Sequence, residues 1–208
     1  MRLVFASNNA HKLDEVRRIL PAGIEVLSLS DIGFEAEIEE TGTTLEQNSR
    51  IKAATVAAFI NDGMMNGDAA LNGESIDGVF ADDTGLEIDA LGGQPGVYTA
   101  RWAGEPAANR KKALSELKGI TNRGAQFRTV ITLIKFSAIS DQYSETQVSG
   151  VVRGRIAEEE YGQGGFGYDP VFIPEGYDKT FGELPAEVKN SISHRSRALA
   201  ALVKALNC

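Results

Sequence analysis

RLVFASNNAHKLDEVRRILPAGIEVLSL, residues 2–29, sets the class of the fold. Arg2-Leu3-Val4-Phe5-Ala6 is short, apolar and β-prone, the composition of a buried strand. Ser7-Asn8-Asn9 follows as a turn made of good helix N-cap residues. From Lys12, the apolar residues Leu13, Val16, Ile19 and Leu20 recur at the spacing of one helix face, and Pro21 and Gly23 end it. Residues 24–29 return to strand composition. The chain therefore opens β-turn-α-β.

The alternation continues downstream. Residues 43–60 predict a second helix with Leu45, Ile51, Ala54 and Ala58 on its apolar face. Residues 61–78 hold four Gly, three Asn and three Asp in eighteen positions, the makeup of a flexible surface loop. Residues 79–81 and 86–89 predict short strands on either side of an Asp82-Asp83-Thr84-Gly85 turn. Gly92-Gly93-Gln94-Pro95-Gly96 is a turn cluster, and 109–118 a third helix. Residues 128–136 and 145–153 are β-rich strands able to pair as a hairpin across 137–144. A last helix is predicted over 193–206, with Ala198, Leu199, Leu202, Val203 and Leu206 on one side. Early alternation followed by a hairpin indicates an α/β or α+β fold on a mixed sheet. Strand order is not readable from the pattern.

Composition narrows the function classes. The 208 residues carry 21 basic and 29 acidic side chains, a net charge of −8, with 42% hydrophobic and 24% charged residues. Those proportions are ordinary for a globular protein and exclude disorder of the whole chain. The length fits one domain or two small lobes sharing a core. No apolar run approaches the roughly 18 residues of a membrane span, and the apolar run before Ser7 is too short for a secretion signal. The single cysteine, Cys208, excludes an intramolecular disulfide. The expectation is a cytoplasmic protein without a membrane partner. The acidic balance argues against binding nucleic acid. A small anionic ligand would need a local basic cluster or a metal ion to offset the surrounding field.

Four clusters could supply that chemistry. Ser7-Asn8-Asn9-Ala10-His11-Lys12 is a strand-turn-helix junction whose free N–H groups favour an anion. Lys12 sits there against the helix dipole, although the spacing is not that of a Walker A loop. Glu35, Glu37, Glu39 and Glu40 precede Thr41-Gly42 as a carboxylate run, and such runs are most often solvated surface. Asp82-Asp83-Thr84-Gly85 places two adjacent carboxylates at the mouth of a buried strand, costly unless paired or metal-bound. Mg²⁺ suits such oxygen ligands, with substrate phosphates completing its shell. Gly164-Gly165-Phe166-Gly167-Tyr168-Asp169-Pro170 offers close backbone approach and aromatic faces for a base. Lys189, His194 and Arg195 add donors nearby in sequence. Each cluster has an ordinary structural reading as a cap or turn. Their sum is the inventory for a metal-bound nucleoside polyphosphate, without the bond cleaved or the base.

ASNNAHKLDEV from Ala6, EETGTTLEQN from Glu39, FADDTGLEIDALGGQPGVYTARWAG from Phe80, GGFGYDPVF from Gly164 and KNSISHRSRAL from Lys189 resemble, in order and over nearly the whole chain, the Ham1-type non-canonical purine nucleoside triphosphate pyrophosphatases (inosine triphosphate pyrophosphatases). The resemblance implies an elongated mixed sheet with flanking helices and two lobes around a central cleft, all within residues 1–208 as one domain. It implies Mg²⁺-dependent conversion of dITP, ITP and XTP to the monophosphate and pyrophosphate by a cytoplasmic homodimer. Carried over residue by residue, Ser7, Asn8, Asn9, Ala10, His11 and Lys12 fall on the phosphate-binding turn. Glu39 and Asp83 fall on metal positions, and Asp83 also on the general base. Thr84 falls on a substrate contact. Phe166, Gly167, Tyr168 and Asp169 fall on the nucleoside loop, and Lys189, His194 and Arg195 on further substrate contacts. The sequence departs from the family pattern at the long 61–78 segment, at Gln47 before Asn48, and at Glu159-Glu160-Tyr161.

Two rival readings are a Maf-like pyrophosphatase acting on dTTP or UTP and a nucleotide-binding sensor without turnover. The Ser193-His194-Arg195 and Phe166-Gly167-Tyr168-Asp169-Pro170 motifs oppose the first. Asp82, Asp83, Glu39 and Lys12 oppose the second, because binding alone does not need a paired-carboxylate site.

Overall fold

A computed structural model describes residues 1–65, 75–137 and 143–206. In chain order its elements are β1 (Arg2–Phe5), α1 (Ala10–Ile19), β2 (Glu25–Leu27), α2 (Leu45–Met65), β3 (Gly78–Ile88), β4 (Pro95–Gly96), α3 (Pro106–Glu116), β5 (Gly124–Phe136), β6 (Tyr143–Ile156), β7 (Phe172–Pro174), α4 (Ala186–Ile192) and α5 (His194–Leu206). The strands form one sheet in the order β2-β1-β3-β5-β6-β7, with β4 pairing β3 off that path. β1 runs parallel to β2 and β3, whereas β3/β4 and β6/β7 are antiparallel. This is the mixed α/β architecture expected from the sequence. Among the described residues, no helix is long and apolar enough to cross a membrane.

Local chemistry explains the first elements. The Asn9 side chain caps α1 by accepting the Lys12 amide at 3.1 Å, a contact worth about 1 kcal/mol. Arg17 and Arg18 occupy the last turn, where the dipole favours cations. At the start of α2, the Thr44 hydroxyl accepts the Gln47 amide, and the Gln47 side chain accepts the Thr43 amide at 2.7 Å. Gln47, a departure from the family pattern, thus serves as a capping residue.

The chain divides into two compact units. One comprises Met1–Asp83, Val130–Val148 and Leu199–Cys208, the other Thr84–Thr129 and Ser149–Ala198. The first has a core of Val4, Ala6, Ile32, Val56, Ile60, Val79 and Ile134, among others. The second is built around Leu86, Ile88, Leu117, Val152, Phe172 and Phe181. Phe127, Phe172 and Phe181 pack there with ring centroids 4.7 and 5.4 Å apart.

Several expectations change. The predicted turn at residues 82–85 lies inside the eleven-residue strand β3, and a half-buried Lys12 and a buried Lys52 beside the pair are what let acidic residues continue the strand. α2 runs to Met65 rather than ending at residue 60, because Asn, Asp and Gly each cost an established helix only about 1 kcal/mol or less. Its buried stripe is also rotated from the predicted one. Leu45, Asn48, Ser49, Lys52, Ala53, Val56, Ala57 and Ile60 are buried, while Ala58 is exposed. α4 precedes the last helix and was not expected. Of the predicted loop 61–78, residues 66–74 lie outside the described residues, as do 138–142 of the hairpin connection and Cys208.

Candidate active site

β3 is buried along nearly its whole length, as suits a strand in the interior of the sheet. Into this setting it brings Asp82 and Asp83, 2% and 8% exposed. Two adjacent buried carboxylates are tolerable only with counter-charges. Lys12, in the first turn of α1, places its Nζ 2.9 Å from Asp82 Oδ1. The cation set against the helix dipole is therefore answered by Asp82 within the fold. Lys52, on the buried stripe of α2, lies 3.4 Å from Asp83 Oδ1 and 3.0 Å from Glu40 Oε1.

Burial and the neighbouring charges set the electrostatics of Asp83. Burial pushes the Asp83 carboxyl above the usual carboxylate range; Lys52 and Lys12 pull it down, and Glu40 and Asp82 push it up. Burial alone would lower the Lys52 pKa, but Asp83, Asp82 and Glu40 outweigh it and hold the ammonium above the usual lysine value. Asp83 Oδ2 is buried without a hydrogen-bond partner. Asp83 thus keeps one lone-pair-rich oxygen uncommitted, which a buried carboxylate normally does not.

The carboxylate run divides by exposure. Glu39, predicted as a metal ligand, is exposed; Glu40 is half-buried and reaches Lys52. Asn48, fully buried on α2, fixes the intervening turn by accepting the Gly42 amide at 2.8 Å. A Cβ on Gly42 would lie 2.6 Å from that Asn48 oxygen, so glycine is required for the approach. One turn of α2 therefore positions both Glu40 and, through Ser49, the strand itself. The Ser49 hydroxyl donates to the Ala81 carbonyl at 2.9 Å, directly before the Asp pair. Among the described residues, no group of three or more His, Cys, Asp or Glu side chains could hold a metal ion unaided. Two carboxylates with an uncommitted buried oxygen nevertheless fit a hard dication that arrives with substrate phosphates.

The remaining residues of the phosphate turn fall at the start of α1. Ser7 Oγ accepts the Asn9 amide at 3.3 Å, and Asn8, Asn9, Ala10 and His11 are exposed. The second unit carries the other predicted cluster. Asp169, 3% exposed, accepts both the Phe166 amide and Lys189 Nζ at 2.7 Å. Gly165 has φ +75°, and a Cβ there would sit 2.0 Å from Asp169 Oδ2, so the loop closes on the carboxylate only with glycine. Phe166 stays half exposed while Lys189 Nζ lies 4.7 Å and the Arg195 guanidinium 5.8 Å from its ring centre. Arg195 is 2% exposed. His194 stacks on Phe127 at 4.8 Å, which fixes the imidazole plane. Tyr168 is buried, donating to the Thr99 carbonyl at 3.1 Å, and burial raises its pKa. The Thr84 and Thr129 hydroxyls are hydrogen-bonded at 2.8 Å.

The structure thus gathers Lys12 and Asp83 with Asp82 in the first unit, and Phe166, Asp169, Lys189 and Arg195 in the second. Sequence reasoning missed Lys52, Asn48 and Ser49. Their signal was spacing: 45, 48, 49, 52, 53, 56, 57 and 60 is one helix stripe, and a lysine on it is a buried lysine.

Comparison with known proteins agrees in extent and kind. Residues 3–205 match the model of the Ham1 family. The dITP/XTP pyrophosphatase of Bacillus subtilis is 47% identical over 210 residues, covering 98% of this chain and 96% of that protein. The dITP/XTP pyrophosphatase of Flavobacterium johnsoniae is 46% identical over 209 residues, with 99% and 98% covered. Among solved structures, the Staphylococcus aureus Ham1 protein superposes with a TM-score of 0.81 at 37% identity, covering 100% of this chain and 98% of that one. The nucleoside-triphosphatase / dITP/XTP pyrophosphatase of Mycobacterium abscessus gives 0.71 at 39% identity, with 98% and 99% covered.

Proposed function

This chain belongs to the Ham1 family, and from that premise we propose that it is a hydrolase that converts dITP, ITP and XTP to the nucleoside monophosphate and pyrophosphate. The relatives named dITP/XTP pyrophosphatases support the reaction class. The observation that carries the assignment to residues is the buried Asp83, with Oδ2 unpartnered beside the Lys52–Glu40 pair.

Asp82 is committed to Lys12, so Asp83 is the member of the pair with an oxygen available for water. Its Oδ2 orients or deprotonates the water that attacks the α-phosphorus, and the α–β bridging oxygen leaves with pyrophosphate. The raised carboxyl pKa makes Asp83 a better proton acceptor than an exposed aspartate. Lys12, Lys52 and the N–H groups at the start of α1 neutralise the triphosphate, and such positioning and charge compensation supply most of the rate in phosphoryl chemistry. Glu39 and Asp83 are the residues that would hold Mg²⁺, Glu40 being paired with Lys52. The chemistry such an ion would supply there is polarisation of phosphoryl oxygens and a lowered pKa of adjacent water.

In the second unit, Phe166 offers a face for the purine. Arg195 and His194 supply donors suited to the 6-oxo group of hypoxanthine or xanthine. Adenine presents a 6-amino donor instead, and each buried donor left unpaired costs about 1–3 kcal/mol. As part of the same proposal, the enzyme is a cytoplasmic homodimer, as the family resemblance implies.

Pyrophosphate release from dITP by Asp83→Asn tests the assignment. The variant should lose about 10²–10⁴-fold in kcat with its melting temperature retained. Near-wild-type turnover would remove Asp83 from the chemistry.

A further inference from the structure

The glycine-rich loop that carries Phe166 is held along its length by the Thr180 hydroxyl, which donates to the Tyr161 carbonyl at 2.8 Å, and by the Gly164 amide, which donates to the Gly182 carbonyl at 3.0 Å, and a further side chain spans its two ends. Arg110, on α3, donates from Nε to Glu160 Oε2 at 2.9 Å and from Nη1 to the Gly167 carbonyl at 2.9 Å. Its guanidinium therefore grips residues on both sides of the 161–166 stretch at once. The two contacts differ in environment. Arg110 is 17% exposed at its side chain and Glu160 40%, so the carboxylate end is partly wet and the carbonyl end is sheltered.

The helix behind the guanidinium is the stationary partner. Ala113 and Leu117 are fully buried. Asn109, next to Arg110, is 2% exposed and donates to the Ala100 carbonyl at 3.0 Å. Tyr168, two residues after Phe166, donates to the Thr99 carbonyl at 3.1 Å, in the segment leading to α3. Gly167 itself sits at φ +62°, a conformation only glycine adopts freely, and its carbonyl direction is what Arg110 reads. The planar fork of arginine can serve both acceptors together, which a lysine ammonium on its flexible stem does not do in one geometry.

We infer that Arg110 is a positioning residue for nucleotide binding, a clasp that closes the 160–167 loop and fixes the Phe166 platform before substrate arrives. The inference rests on the nucleotide reading above and deepens it. Pre-ordering a loop lowers the entropy lost on binding, so the clasp acts on affinity and leaves the chemistry to Asp83.

A double-mutant cycle on Arg110 and Glu160 tests this with dITP as substrate. Arg110→Ala should raise KM about five- to tenfold, the range for losing partly exposed charge-assisted hydrogen bonds, with kcat within about twofold. Glu160→Ala should raise KM less, and the double variant should match Arg110→Ala, because the carboxylate acts only through the arginine. Arg110→Lys should be intermediate. In parallel, deuterium uptake at residues 160–168 should rise in Arg110→Ala without nucleotide present. An unchanged KM, effects that add in the double variant, or unchanged deuterium uptake would overturn the clasp. If the wild type fails to turn over dITP, the functional reading fails, and the exchange measurement still decides whether Arg110 orders the loop.

Discussion

Glu39 and Glu40 are neighbours of identical chemistry with different surroundings, and the catalytic reading depends on telling them apart. Glu40 shares Lys52 with Asp83, whereas Glu39 is exposed. Glu40→Gln should lower kcat/KM for dITP about 10²-fold or more, the scale for losing a positioned charge in a reacting cluster. Glu39→Gln should lower it as well and raise the Mg²⁺ concentration needed for turnover, as expected of a residue at the metal position that the resemblance implies. Steady-state assays of the two single variants decide the matter. The sequence pointed to this run of carboxylates, whose adjacent members face opposite ways along an extended segment. The phase was present in Ile38, which packs against the core: two residues on from it, Glu40 is half-buried, while Glu37 and Glu39 are exposed. Lys12 and Asp83 were legible from residue type and context. Lys52 was not, because a lysine in a helix reads as surface until the buried stripe is drawn.

At the scale of elements, α5 and β6 meet where a side chain is missing. A Cβ on Gly150 would lie 2.2 Å from the His194 carbonyl oxygen and 2.3 Å from the Ala198 amide nitrogen. Gly150→Ala therefore forces the first turn of α5 away from the strand, at about 1–3 kcal/mol for overpacking. Thermal melts should show a loss of roughly 2–10 °C for a protein of this size, and KM for dITP should rise because His194 and Arg195 move with the turn. A second junction gives a pH signature. The Asp31 carboxyl is held below the usual range by the Ser28 amide and hydroxyl and by Arg17, which also donates to the Val26 carbonyl at 2.8 Å. A carboxyl with its pKa depressed on folding stabilises above its unfolded value near 3.9 and loses that contribution as pH falls through its folded value. Asp31→Asn should melt lower than wild type at pH 7, by about 1 kcal/mol or less for so exposed a group, and the difference should shrink as pH falls through the range where the folded carboxyl takes up its proton. Helix and strand periodicities were legible wherever one face is apolar, as in α1 and β5. They failed at β3, where an acidic pair inside a strand resembles a turn until its lysines are known, and at α4, too short to show a period.

Across the whole molecule, the net charge of −8 opposes a polyanionic substrate, and the fold answers locally. Lys12 and Lys52 are contributed by separate helices to one pair of aspartates on a central strand. The family pattern was legible end to end, because its motif blocks span the chain, and the match over residues 3–205 bears that out. Two lobes were expected, but which distant stretches of chain make up each of the two units was not legible, since contacts among segments far apart in sequence leave no local pattern. The proposed activity is tested most directly by pyrophosphate release from dITP, XTP, dGTP, dATP and dTTP, each with Mg²⁺ and again with EDTA. Turnover of dITP and XTP should exceed that of the other three by about 10²-fold or more in kcat/KM and vanish with EDTA. Preference for dTTP, activity that survives EDTA, or nucleotide binding without pyrophosphate release would contradict it.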